Sequence, residues 1–192
     1  MMIGSDFFSS HVIEDLTGSA FSHVGMVVRA DDGELYFWEA IPEAVLTCLL
    51  DGTTHAGCHL IPLEPLMGLY VKHTGGKFVF RHLEVDRDPV RMESFWTFAR
   101  EVNKLPFAGE WDMALEWAEG HISPVAANEN KFFCSELVAA TYQRMNLLPS
   151  TPPANEYAPA SFSMRNKSLE LLEGAKLSEE ILVVWGGHAA SA

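Results

Sequence analysis

Three side chains in this sequence could together run thiol chemistry: Cys134, His23 and Glu39. Cys134 follows Phe132-Phe133 and opens a stretch in which Leu137, Val138, Thr141, Met145 and Leu148 recur at helical spacing, up to Pro149. A thiol at a helix N-terminus faces the positive end of the helix dipole and backbone N–H groups that have no intrahelical partner. Both favour the thiolate. The same N–H groups can hold an oxyanion once a carbonyl is attacked. Such a thiolate also needs a proton shuttle, usually a histidine, and a third group that orients it.

His23 and Glu39 can fill those two roles. His23-Val24-Gly25-Met26-Val27-Val28-Arg29 reads as a strand, Ala30-Asp31-Asp32-Gly33 as a turn, and Glu34 to Ala40 as a second strand. Gly33 suits the left-handed position of a three-residue hairpin loop. Alternation puts Val24, Met26 and Val28 on one face, and His23, Gly25, Val27 and Arg29 on the other. That register sets His23 near Ile41. Glu39 becomes its diagonal neighbour on the same face, about 7–8 Å away at Cα. The carboxylate would favour the imidazolium, and the imidazolium the thiolate. Each residue also has a plainer reading. A cysteine in an apolar helix is usually a small core residue, and a lone histidine on a strand is usually structural. A glutamate beside Trp38 is commonly the solvated end of a strand. Spacing alone leaves the catalytic and structural readings level.

Longer blocks tip the balance. Phe21-Ser22-His23-Val24-Gly25-Met26-Val27-Val28, then a Glu at the end of the next strand, then Phe133-Cys134-Ser135-Glu136-Leu137-Val138, resemble the circularly permuted NlpC/P60 papain-like superfamily. The branch they are most similar to is the YiiX/YaeF-type permuted papain-like amidases, in which the His-bearing strand precedes the Cys-bearing helix. Tyr142, Asn146-Leu147-Leu148-Pro149 and Pro159-Ala160-Ser161-Phe162 extend the resemblance, which covers roughly residues 18 to 185. It implies a permuted papain-like core with Cys134 as nucleophile, His23 as base and Glu39 as the orienting third residue. It also implies thiol hydrolysis of amide bonds in peptides or cell-wall fragments, with relatives acting on acyl-lipid bonds. Two blocks depart from the pattern. Ser5-Asp6-Phe7-Phe8 poorly matches the Gly-Asp pair that precedes the His strand. Leu105-Pro106-Phe107 stands where a Tyr-Asp pair is usual, with Trp111-Asp112 a few residues on. Phe107 has no hydroxyl to offer an oxyanion, which leaves the backbone N–H of Cys134.

The rest of the chain must position these groups. Residues 41–80 are cut into short pieces by Pro42, Gly52, Gly57, Pro62, Pro65, Gly68, Gly75 and Gly76, before a strand over Lys77 to Leu83. Met92, Phe95, Trp96, Ala99 and Val102 predict a helix that starts near Pro89 and ends before Pro106. Residues 107–130 read as an ordered loop with a short helix near Met113 to Ala118, and the proline-rich 149–160 as an extended crossing. Ile181 to Trp185 reads as a final buried strand. This order predicts a single α+β domain over 1–192, an antiparallel sheet packed against helices.

Composition narrows the function classes. The 192 residues are 48% hydrophobic, enough to build a core without disulfides or metals. Thirteen Lys+Arg against 26 Asp+Glu give 13 − 26 = −13, which argues against nucleic acid as a partner and for a neutral or cationic substrate. The N-terminal residues lack the pattern of a signal peptide, and no apolar run approaches the roughly 20 residues of a membrane span. Cys48, Cys58 and Cys134 are odd in number and do not suggest a disulfide framework. A cytoplasmic, reducing setting is expected, with no cofactor. Cys48, His55, Cys58 and His59 invite a zinc reading, but with no C-x2-C or H-x3-H spacing a glycine-rich loop with incidental histidines is the expectation. Glu136 falls in a first helical turn and reads as structural. His73, His82, His121 and His188 are assigned nothing. Trp96, Trp111 and Trp117 read as core before groove. The expected activity is that of a cysteine hydrolase acting on a small peptide, amide or acyl-lipid substrate. A catalytically silent binding module and an acyltransferase are the alternatives.

Overall fold

The first hairpin forms as the alternation predicts. Strands β3 (Met26–Arg29) and β4 (Leu35–Ile41) pair antiparallel, with Met26 opposite Trp38 and Arg29 opposite Leu35. The Ala30 N–H donates to the Glu34 carbonyl at 3.1 Å, and Gly33 takes φ 86°, the left-handed value that needs no side chain. This computed structural model describes residues 2–3, 21, 23–75, 77–86, 88–108, 130–164 and 169–185.

In chain order the remaining elements are β1 (Met2–Ile3), β2 (His23–Val24), β5 (Gly57–Pro62), α1 (Leu63–Thr74), β6 (Lys77–Phe80), β7 (Leu83–Glu84), α2 (Pro89–Val102), α3 (Cys134–Arg144), β8 (Lys176–Leu177) and β9 (Ile181–Val184). Among the described residues they make an α+β fold with small antiparallel sheets and three α-helices. One sheet runs β3-β4-β5 and a second β2-β1-β6-β9. No helix among the described residues is long and apolar enough to cross a membrane.

The strand expected over 23–29 is two strands in two sheets. It breaks at Gly25, where the backbone lies so close to β4 that a Cβ would run into the Phe37 ring and sit 2.7 Å from the Trp38 carbonyl oxygen. β2 therefore leaves β4 and pairs with β1, His23 opposite Ile3.

Both faces of the β3-β4-β5 sheet are covered. Trp38, Leu60 and Val28 pack with Phe95 and Ala99 of α2 and Leu137 and Val138 of α3. The Trp38 indole N–H donates to Thr141 Oγ1 of α3 at 3.0 Å, so the one polar atom of this buried ring is satisfied. On the opposite face Phe37 and Ile61 pack with Leu63, Leu66, Met67 and Tyr70 of α1, and with Phe78. Burial of one such large side chain stabilises by about 1.5–3 kcal/mol.

α1 is a helix where short pieces were expected. Pro65 sits in its first turn, where a missing N–H costs no helical bond, and Gly75 closes it at φ 60°. α2 keeps the expected bounds, with the Asp88 carboxylate accepting the Val90 N–H at 2.9 Å. α3 ends at Arg144, short of Leu148. Asn146 turns the chain at φ 55°, and the Leu147 N–H donates back to the Tyr142 carbonyl at 2.7 Å. The final strand forms but is not buried as a whole. It is a sheet edge that turns Val183 inward and leaves Leu182 60% and Val184 67% exposed. The strand expected over Lys77–Leu83 stops at Phe80, where the Arg81 guanidinium donates to the carbonyls of Ser178, Phe162 and Leu177. The helix expected near 113–118 lies outside the described residues.

Candidate active site

β2 ends at the edge of its sheet with His23 buried and aimed at the middle of β4. The paired register of the hairpin ends at Met26 opposite Trp38, and beyond it the chain crosses to β1. The His23 side chain still reaches β4: its Nε2 lies 2.6 Å from Glu39 Oε2. The rings of Phe37 and Tyr70 stand edge-on to the imidazole, at 6.2 and 6.4 Å between centroids, and fix its plane.

Glu39 is fully buried, on the central strand of its sheet. A buried carboxylate is costly unless donors surround it. Here His23 and the Tyr70 hydroxyl meet Oε2, the latter donating at 3.2 Å, and His59 Nε2 lies 3.4 Å from Oε1. Burial pushes the Glu39 carboxyl up. The hydrogen bonds and charges of His23 and His59 outweigh it and hold the group below its ordinary 4.5. Burial with the neighbouring Glu39 charge keeps the Tyr70 hydroxyl protonated, and so a donor, to well above pH 10.

Cys134 is the first residue of α3, and its side chain is buried. It lies within hydrogen-bonding reach of the His23 ring. Glu39 meets the ring at Nε2. Burial alone would lower the His23 pKa. Cys134 and then Glu39 override it and raise it from 6.5 to about 10. That direction favours the imidazolium. Burial pushes the Cys48 and Cys58 thiols up.

The start of α3 is held by Glu136, whose Oε2 accepts the Phe133 N–H at 3.2 Å. That is the structural role expected of it. Phe107 stands beside this helix start. It bridges to Phe132 in parallel fashion, and its ring meets Phe133 edge-on at 6.3 Å. The hydroxyl missing from the sequence is thus missing next to the thiol-bearing turn.

The structure brings together all three residues singled out from the sequence, and adds two that were not. His59 was weighed only as a zinc ligand. It lies opposite Glu39 on β5, a strand too uniformly buried to show alternation. Tyr70 carried no signal, since Pro65 and Gly68 interrupt the helix that bears it. The zinc quartet does not converge. His59 faces Glu39, Cys58 lies with Trp38 on the opposite face, and Cys48 and His55 gather around Asp51 instead. His82 is exposed, and Trp96 packs against Phe95 at 5.0 Å. Ser5, Asp6, Trp111, Asp112, Trp117, His121 and His188 lie outside the described residues, and the side chain of His73 is likewise not described.

A thiol at a helix start, a cationic imidazole against it and a buried carboxylate behind the imidazole can generate a nucleophile and then protonate a leaving group. Compared with family models, curated proteins and solved structures, the chain matches none of them.

Proposed function

We propose that this chain is a cysteine hydrolase of amide bonds, whether peptide, isopeptide or N-acyl, built on a circularly permuted papain-like core. One observation carries the reading: a buried carboxylate bonded at 2.6 Å to an imidazole that also interacts with a thiol at a helix N-terminus. A core with no chemistry to perform has little reason to bury Glu39, His23 and Cys134 in that order.

The steps follow from the geometry. Cys134 Sγ, as thiolate, attacks the substrate carbonyl carbon, and the carbonyl π pair moves onto oxygen. The N–H groups of the first turn of α3, that of Cys134 first, are the donors nearest the developing oxyanion. His23 gives its Nδ1 proton to the leaving amine as the C–N bond breaks, leaving a thioester on Cys134. Now neutral, His23 takes a proton from water, the hydroxide attacks the thioester, and the thiolate departs with the acid product. Glu39 keeps the ring oriented throughout and stabilises its charged form. Water replaced by an amine or alcohol at the last attack would make the same centre an acyltransferase. A second reading, a silent papain-like module that binds a peptide or lipid, is favoured by Phe107, which offers no hydroxyl beside the helix start.

A small peptide, amide or acyl-lipid substrate suits the site. A chain of net charge −13 is a poor partner for nucleic acid. Three unpaired thiols suit a reducing, cytoplasmic setting. The direct test offers the wild-type protein a panel of acyl and aminoacyl amides of a fluorogenic amine and looks by mass spectrometry for an acyl adduct. An adduct on Cys134, with turnover lost in Cys134→Ala and in His23→Ala, is expected. Turnover that survives Cys134→Ala would refute the mechanism.

A further inference from the structure

The loop between β4 and β5 gathers a second set of chemistry-bearing groups. It is tightly closed: Thr47 bridges to Thr54, the Cys48 N–H donates to the Thr53 carbonyl, and the Gly52 N–H to the Cys48 carbonyl, both at 2.9 Å. This brings Cys48 Sγ, an Asp51 carboxylate oxygen and a His55 ring nitrogen within 4.8 Å of one another.

The hydrogen bonding of His55 is what makes the cluster more than a turn. Its Nδ1 lies 2.9 Å from the Ala56 carbonyl, which can only accept, so Nδ1 carries the hydrogen. In the neutral ring Nε2 then carries the lone pair. It is buried and has no hydrogen-bond partner. Asp51 Oδ2 lies 3.5 Å away, and the neutral ring has no hydrogen to offer it. A cation between them would satisfy both. An imidazole held by one nitrogen on a carbonyl, with the other presented to a carboxylate and a thiol, is how metal-binding histidines are oriented.

Asp51 is held in place for such a role. Its Oδ1 accepts the N–H and the hydroxyl of Thr53, each at 2.9 Å, and its Oδ2 accepts Asn103 Nδ2 at 2.8 Å. Lys104 Nζ also lies 2.8 Å from Oδ2, on a side chain that is 52% exposed. That ammonium can swing into solvent, and it already shows that the position takes a cation. Cys48 Sγ accepts the Leu60 N–H at 3.4 Å and lies 3.5 Å from Asn103 Oδ1.

We propose that Cys48, Asp51 and His55 form a binding site for a zinc-like divalent cation, which replaces the Lys104 ammonium. One sulfur, one imidazole and one carboxylate are a borderline-soft set that suits zinc better than calcium or magnesium. Bonds of about 2.0–2.3 Å need the three atoms to close up by roughly an ångström, a shift within a single loop. The Cys48 S–H proton goes to solvent as the sulfur–metal bond forms. The fourth position is left to water. His59 Nδ1 bonds the His55 carbonyl at 3.0 Å, so the loop touches the triad through His59. The ion itself is therefore the readout, and the assignment stands whether or not the chain is a hydrolase.

The test uses the full chain carrying Cys134→Ser, freed of metal, so that the thiol of the proposed active site cannot compete. Zinc is titrated against a chromogenic chelator, and cobalt is added separately to report thiolate ligation by its charge-transfer absorption. One ion per chain is expected, with a cobalt–thiolate band that Cys48→Ser removes. His55→Ala changes a partly exposed loop residue and spares the core. It should weaken binding by about 100-fold or more, since loss of even an outer partner costs 10–100-fold. Lys104→Ala should tighten binding severalfold by removing the competing cation. No stoichiometric zinc at micromolar concentration, or zinc retained unchanged in His55→Ala, would overturn the site. Affinity unchanged or weakened in Lys104→Ala would overturn Asp51 as a ligand.

Discussion

Glu39 is where the account is most exposed at the scale of single residues. One carboxylate takes His23, Tyr70 and His59 with no water-facing surface to share the load. Tyr70→Phe removes one donor and leaves the ring, so it should lower stability by about 1–3 kcal/mol and slow chemistry at Cys134 severalfold. Denaturant unfolding and thiol labelling read the two effects separately. The pH dependence has a definite sign. Glu39 titrates below 4.5, so its stabilisation is present above that pH and fades as pH falls through the folded value. His23 titrates above 6.5, so its stabilisation is complete below that pH and fades as pH rises towards about 10. Both are in full force only between 4.5 and 6.5. Glu39→Gln should flatten the acid limb of a plot of unfolding free energy against pH. Parallel acid limbs for the two proteins would contradict the role given to the carboxylate. Of this centre the sequence offered the thiol, the imidazole and the carboxylate as candidates, because a hairpin and a helix start follow local rules, and the longer resemblance tipped the balance. The sequence hid His59 and Tyr70, because their partner is reached only through packing.

At the scale of elements, the hairpin register was readable from alternation and one glycine, and α2 from its apolar stripe and flanking prolines. The break at Gly25 was not. Nothing local to Gly25 shows that Phe37 and the Trp38 carbonyl occupy the space of its missing side chain. Gly25→Ala should therefore cost about 1–3 kcal/mol by overpacking and, by shifting β2, also slow labelling of Cys134. Gly33→Ala, at φ 86° with open space around it, should cost stability alone. If the two variants lower labelling equally, Gly25 has no special part in placing His23. α1 and β5 escaped recognition because Pro65 and Gly68 interrupt one and uniform burial erases the alternation of the other. Leu66→Ala should confirm α1 as a core element, at a cost of about 2–5 kcal/mol by thermal or denaturant unfolding.

At the scale of the whole molecule, net charge and order along the chain carry the argument. A charge of −13 favours approach of a cationic substrate and opposes an anionic one, and salt screens both. For two amides differing only in the sign of one group, kcat/KM should fall with ionic strength for the cation and rise for the anion. The reverse trend would mean that the mouth of the site has a field unlike that of the chain. The α+β class was legible from the order of strand and helix signals. The separation of β2 from the hairpin sheet was not, since it depends on the break at Gly25. The central claim is that Cys134 and His23 form a working pair, and the measurement closest to it is iodoacetamide labelling of each cysteine against pH, read by mass spectrometry, in wild type and His23→Ala. Rapid labelling of Cys134 below about pH 7, where an ordinary thiol of pKa about 8.5 is sluggish, is predicted. It should be lost in His23→Ala, while buried Cys48 and Cys58 stay slow in both proteins. A Cys134 that labels no faster than Cys48 and Cys58, or that ignores the loss of His23, would contradict the account.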